Sequence, residues 1–218
     1  MNIGADIISP VDCVRNLGVH MDQHLTTTHH VTAVYAACNY HLYRLSSIRH
    51  YLTTEATKSA INALVTSRLD YCNSLLVNHS ASQILRLQRV QNNAARLITR
   101  TSRHDHIIPV LRGLHWLLVA SRIHFKVLVL AYRCVNGLAP TYLVELLHIR
   151  TPDGRLRKDY APTLHQCITK KSIGESAFGT TAPRLWNSLP ADIRNSKTLT
   201  IFRKSLKTHL FIGHFKYM

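Results

Sequence analysis

Apolar residues recur at helical spacing through most of the chain and alternate only near its start. The opening stretch IISPVDCVRNLGVHMD reads as two short strands: Pro10 and Asp12 suit a turn, and residues 14–21 are strand-like around Gly18. Asp22 and the threonines Thr26, Thr27 and Thr28 then offer a helix start. Val31, Val34, Tyr35, Leu42, Leu45 and Ile48 mark its apolar face as far as about His50. A second helix opens at Thr53, Thr54 and Glu55, with Ala56, Ala60, Ile61, Leu64, Leu69 and Cys72 on its buried side, and is expected to end near Asn78. Ser80 or Ser82 caps a third helix that runs to about Thr101. A short helix ends in residues 109–112, before the break at Gly113. A long one follows over about 119–135, stopped by Asn136 and Gly137, and Ala139 and Pro140 open a short helix through Leu147.

The periodicity fails over residues 149–179. TPDGRLRKDYAP is turn-rich and basic, and QCITKKSIG predicts either a short strand pair or irregular chain, so this region reads as a linker or extended arm. RLWNSLPADIR and a helix over about 199–211 restore order, with Trp186, Leu189 and Ile193 expected to anchor that segment on the bundle. The fold predicted is mainly α: a helical bundle with a short N-terminal β element and an irregular basic region before a C-terminal helix. There is no tandem repeat.

Composition sharpens this picture. A hydrophobic fraction of 46% supports a sizeable core, while the longest apolar run, over 127–132, is far too short to span a bilayer. The start MNIGADIISP lacks the basic and apolar regions of a secretory signal, so neither export nor a membrane partner is expected. Five scattered cysteines in no CxxC pair suit reduced thiols in the cytoplasm or nucleus, with Cys72 and Cys134 read as buried small hydrophobes.

Charge changes the picture most. Residues 1–80 carry 5 Lys/Arg and 5 Asp/Glu, whereas residues 81–218 carry 22 and 6, so the whole net charge of +16 lies there. A field of that size favours polyanions. The stretch RLQRVQNNAARLITR holds four arginines and no acid, inside a run from Tyr71 to His104 that contains none. On a helix, Arg86, Arg89, Asn93, Arg96 and Arg100 fall on one narrow face beside an apolar face of Leu87, Val90, Ala94, Leu97 and Ile98. Solvated helix faces usually mix signs, and this one has nothing to pair with. Arginine's planar fork suits phosphate, so Arg86, Arg89, Arg96, Arg100 and the following Arg103 are the candidate nucleic-acid-binding residues. Arg150, Arg155, Arg157, Lys158, Lys170 and Lys171, with Arg203, Lys204 and Lys207 on the last helix, either extend this track or are simply solvated.

Catalytic chemistry finds little support. Fifteen histidines invite a metal, and His104, Asp105 and His106 form the densest group, with His24, His29 and His30 as candidate partners. Side chains at i and i+2 do not share a helix face, no HExxH or Cys/His cluster occurs, and each histidine is read as structural or surface. A metal-dependent hydrolase built on that triplet is the weakest reading. The 11 carboxylates are scattered singly, and GxSxG, P-loop and GxGxxG patterns are absent. No catalytic residue, metal site or cofactor is assigned. Asp70 is expected to pair with Arg68 or an arginine of the next helix, and Tyr71 and Trp116 are read as core rather than base-stacking residues.

Several stretches occur here in one order: VRNLGVHMDQHL, SRLDYCNSLL, LQRVQNNAARLITR, HIIPVLRGLHWL, RIHFKVLVLAYRCVNGLAPTYL, and APRLWNSLPADIR followed by FRKSLKTHLF. Together they resemble the C-terminal part of the reverse transcriptase polyprotein of LINE-type, non-LTR retrotransposons, over nearly the whole chain. The resemblance implies a palm-end remnant with a primer-contacting hairpin over 1–25, in which Leu17, Gly18 and Val19 would sit. It implies a thumb-like helical bundle over 26–148, a basic arm over 149–180, and a C-terminal Trp-anchored helical segment over 181–218. A thumb grips template–primer duplex through its backbone, so an RNA–DNA hybrid or RNA is the implied partner. The family's catalytic pair of aspartates, its fingers and most of its palm are missing, and Leu118 stands where the family usually has proline. The expectation is a truncated product, starting at an internal methionine and inactive alone as an RNA-directed DNA polymerase. Loss of the palm would expose apolar surface over residues 1–50 and favour self-association. The alternative reading is a basic helical module that binds an acidic protein partner, with no role for nucleic acid.

Overall fold

The computed structural model describes residues 2–3, 6–7, 11–150, 162–167, 169 and 172–215. Strands β1 (Asn2–Ile3) and β2 (Asp6–Ile7) pair antiparallel, as do β3 (Cys13–Asn16) and β4 (Val19–Asp22). Helices follow: α1 (Thr28–Ser47), α2 (Thr54–Ile61), α3 (Ser67–Asp70), α4 (Ala81–Thr99), α5 (Ile107–Gly113), α6 (Val119–Val135) and α7 (Thr141–Val144). Strands β5 (Ile149–Arg150) and β6 (Thr163–Leu164) form a third ladder. Helices α8 (Ser172–Ser176), α9 (Phe178–Asn187), α10 (Ala191–Arg194) and α11 (Leu199–Phe215) complete the described chain. The protein is a mainly helical bundle decorated by small antiparallel hairpins.

The β3–β4 hairpin pairs Val14 with Met21 and Asn16 with Val19 around a two-residue turn. Both turn residues have positive φ, 45° at Leu17 and 82° at Gly18, the backbone that matches strand twist in tight hairpins. Between β4 and α1 the Asp22 carboxylate accepts from the backbone N–H of His24 and Thr26 and from the Thr26 hydroxyl. That hydroxyl is the main cause of a carboxyl pKa below its ordinary range. Asp22 thus organises the loop before α1, whereas Thr27, at the helix start, forms no side-chain cap.

Helix α2 begins as its residues dictate, the Thr53 hydroxyl accepting from the Ala56 N–H at 3.1 Å. It passes through a π-helical turn (Asn62–Thr66) into α3 and stops at Asp70, because Tyr71 is extended and Cys72 is left-handed at φ 50°. A 3-10 turn (Asn73–Leu76) then leads towards α4. The second helix is therefore shorter than its apolar stripe suggests. Ala56 is exposed, Thr57 is buried in its place, and Cys72 is only half-buried. On α1, His30 and Cys38 join Val31, Leu42 and Leu45 inside, while Ile48 is exposed.

One core joins α1, the α2–α3 helix, α4, α6, α9 and α11 through Val31, Ile61, Val90, Val127, Trp186 and Leu206. At its centre Tyr132 and Phe202 stack at 4.4 Å, with Trp186 5.8 Å from Phe202. Each polar handle is satisfied: Tyr132 donates to the Ser196 carbonyl at 2.9 Å and Trp186 Nε1 to the Pro162 carbonyl at 2.7 Å. Leu189 and Ile193 are buried beside Trp186, the anchoring expected of this segment. Helix α6 ends as predicted, with Gly137 at φ 66° and the Leu138 N–H reaching back to the Arg133 carbonyl.

The region over 149–179 differs from its sequence reading on the described residues. Its strand pair is β5–β6 rather than one within QCITKKSIG, part of which is helical in α8. Leu164 is buried, and its N–H and C=O both bond to the Asn187 side chain. Pro10, Arg155, Arg157, Lys158, Lys170 and Lys171 lie outside the described residues.

Candidate nucleic-acid interface

Helix α4 packs by Leu87, Val90, Ala94 and Ile98, so the arginine strip falls beside the core rather than in it. The five candidate arginines divide into two groups. Arg86 lies over α1: its guanidinium is 4.9 Å from the Tyr35 ring centre, and Nη1 reaches the Thr32 hydroxyl at 3.3 Å. Arg96 clasps the loop after its own helix, donating to the carbonyls of Ser102 and Asp105. Arg89, Arg100 and Arg103 are exposed, and their side chains have no hydrogen-bond or ion-pair partner among the described residues. Arg100 is also the left-handed residue that closes α4, its backbone N–H returning to the Arg96 carbonyl. The strip is thus narrower than its spacing suggests: three free cations, one midway along α4 and two at and beyond its C-terminal end, and two guanidiniums with structural bonds.

Other arginines explain how so basic a chain holds together with few acids. Arg49 is 7% exposed and donates to the carbonyls of Leu97, Ile98 and Leu52, capping the C-terminal end of α4. Arg112 donates to the Phe215 carbonyl at 2.7 Å and lies over that ring, closing α11. Arg68 bonds the Leu64 carbonyl, and Arg194 the carbonyls of Leu189 and Pro162. Carbonyls satisfy donors without cancelling charge, so the positive field survives folding. Sequence reasoning missed Arg49 because its partners lie 48 and 49 positions away, and no local pattern marks such a bond.

Asp70 takes part in the one ion pair found among the described residues, a two-pronged bond with Arg122 of α6, in which Nε meets Oδ1 at 2.8 Å. Its expected partner Arg68 is engaged elsewhere, and the arginine supplied is not on the next helix but further along the chain. Tyr71 is also not a core residue: it is half-exposed and its hydroxyl donates to the Leu17 carbonyl at 2.6 Å. A Cβ on Gly18 would sit 3.5 Å from the same ring, so the hydroxyl end of the tyrosine packs against the turn. Leu17 projects outward at 84% exposure, whereas Val19 is buried and holds the hairpin to α1. Of the three hairpin candidates, only Leu17 and Gly18 are presented.

Between hairpin and bundle lies a cavity of about 490 Å³ whose wall includes Arg15, His20, His30, Arg68 and Tyr71 but no carboxylate. Burial pushes the His30 imidazole below its ordinary pKa, with His20 adding to the effect, and its Nδ1 has no partner. A second cavity, of about 480 Å³, opens beside Asp70 and Arg122 and is lined by Asn73, Trp116, Phe125, Lys126, Arg203 and Lys207. Among the described residues no three His, Cys, Asp or Glu side chains converge on a point, and His104 and His106 are exposed. No described helix is long and apolar enough to cross a membrane. No family model, curated protein or solved structure matches the chain.

Proposed function

We propose that this chain is a non-catalytic C-terminal fragment of a LINE-type retrotransposon reverse transcriptase that binds template–primer duplex through phosphates, without reading sequence. The observation that carries this reading is the trio Arg89, Arg100 and Arg103, which is exposed, like-charged and without any carboxylate partner among the described residues. Free cations spaced along one helix and the loop beyond it form a positive track, and a polyanion supplies the countercharge that the described residues lack. The hairpin contributes differently. Leu17 and Gly18 form an exposed tip that Tyr71 fixes to the bundle, a stiff edge rather than a loose loop. Polymerisation is not part of the proposal: two metal ions need clustered carboxylates, and the sequence has no adjacent aspartate pair to supply them.

The test is binding of an RNA–DNA hybrid across a salt series, comparing the native chain with R89Q/R100Q/R103Q. Each phosphate that the variant no longer neutralises should reduce the slope of log K against log salt by roughly 0.9, the duplex-DNA value. Equal affinities and slopes would show that the three arginines are merely solvated. Binding of an acidic protein in place of the hybrid would favour a protein-interaction module.

A further inference from the structure

The second cavity opens where the π-helical turn (Asn62–Thr66), the segment 115–117, α6 and α11 come together. Its wall holds two pairs of cations, each pair one helical turn apart: Arg122 and Lys126 on α6, Arg203 and Lys207 on α11. Like charges at this spacing disfavour their own helix, and here two such pairs line one space. Asp70 is the only carboxylate in the wall, and Arg122 already engages it. Lys126, Arg203 and Lys207 are exposed and have no partner among the described residues.

The rest of the lining is equally specific in kind. Trp116 and Phe125 are partly exposed and offer aromatic surface beside the cations. Asn73, 2% exposed, carries an Oδ1 to which nothing in the described chain donates. The π-helical turn along one side is a departure from regular helix of the kind that accumulates at binding sites. Cations, aromatic rings and an unfilled buried acceptor in a space of about 480 Å³ describe a ligand that is anionic at one end and flat at the other.

We propose that this cavity binds one nucleotide, its phosphate held by Lys126, Arg203 and Lys207 and its base against Trp116. The nucleotide is either free in solution or an unpaired residue of a nucleic-acid strand, since both present the same phosphate and base. The proposal rests on the nucleic-acid reading but uses none of its arginines, so the two can fail separately. Aromatic stacking tolerates any base, because every base has a π-face.

Tryptophan fluorescence tests it directly. The chain has two tryptophans, and Trp186 is fully buried, so a solution ligand that quenches emission reports on Trp116. Adenosine monophosphate, inorganic phosphate and a short single-stranded oligonucleotide are titrated in turn. Saturable quenching by the mononucleotide, competed by phosphate that does not itself quench, is expected. Quenching by the oligonucleotide alone would assign the site to a strand residue. The variant K126Q/R203Q/K207Q changes only exposed side chains and should weaken either ligand at least about tenfold, a loss of about 1.4 kcal/mol. Its circular dichroism and melting should match the native chain. No saturable quenching by either ligand, or unchanged affinity in a folded triple variant, overturns the proposal. R89Q/R100Q/R103Q should keep the quenching. If quenching persists while the native chain fails to bind hybrid, the function reading falls and this site stands.

Discussion

The Tyr71 hydroxyl and the Leu17 carbonyl, 54 positions apart, meet at 2.6 Å and fasten the hairpin tip to the end of α3. Leu17 is a poor residue for a left-handed φ of 45°, since only glycine adopts that region freely. The tyrosine offsets that cost from outside the hairpin. Tyr71→Phe should therefore leave the bundle intact, lower stability by about 0.5–1.5 kcal/mol, and speed amide exchange across β3 and β4. Unchanged exchange in the hairpin would show that the turn holds its shape without the bond.

Arg49 makes the opposite kind of contact, buried and multiple. Its removal would strand the carbonyls of Leu97 and Ile98 at the end of α4. Arg49→Met, which keeps the apolar stem, should cost about 2–3 kcal/mol by urea denaturation, whereas Arg89→Gln on the exposed face of the same helix should stay within about 0.5 kcal/mol. Equal effects at the two positions would remove the distinction drawn between structural and free arginines.

These two contacts mark where sequence reasoning stops. Local signals proved legible: Thr53 as a cap, Val119–Val135 as a helix, Asn136 and Gly137 as its end, and Trp186 as an anchor all follow from short-range chemistry. So did the burial of Leu87, Val90, Ala94 and Ile98 along α4, because helical periodicity decides which face packs. What periodicity cannot decide is the partner of a long side chain. Arg86 and Arg96 share a face with Arg89 and Arg100, yet the first two reach back to Tyr35 and Ser102 while the others do not. The π-helical turn was equally hidden: Thr57, Ile61, Val65 and Leu69 are buried at a spacing of four, which a regular helix would carry round its surface and the wider turn helps keep on one face.

The aromatic centre offers a test of packing. Tyr132, Trp186 and Phe202 come from α6, α9 and α11, so they join the C-terminal segment to the bundle. Phe202→Ala should cost about 3–5 kcal/mol and unfold both regions in one transition. A variant in which the C-terminal helices melt separately while the bundle keeps its stability would show that the segment is only loosely docked.

Exposed apolar residues crowd the N-terminal part: Val14, Leu17, Leu25, Tyr40, Tyr43 and Ile48 are all open to solvent. Surface of that kind favours association. Sedimentation should show assembly that grows with protein concentration, and an apolar dye should bind. A sharp monomer that binds no dye would instead assign this surface to ordinary solvation.

Acid should weaken the protein before its carboxylates titrate. Burial holds the imidazoles of His30, His79 and His124 below their ordinary pKa of 6.5, with His20 and Arg184 adding to the effect on the first and last. In the unfolded chain these rings take up protons near that ordinary value, while in the folded protein they resist until lower pH. Their contribution is therefore fully present above about pH 6.5 and is lost as pH falls through the folded values. The urea midpoint should fall between about pH 7.5 and about pH 5.5, and His124→Gln should reduce that fall more than Gln at the exposed His104. A midpoint that holds steady across this range would mean that the buried imidazoles accept protons without resistance from the fold.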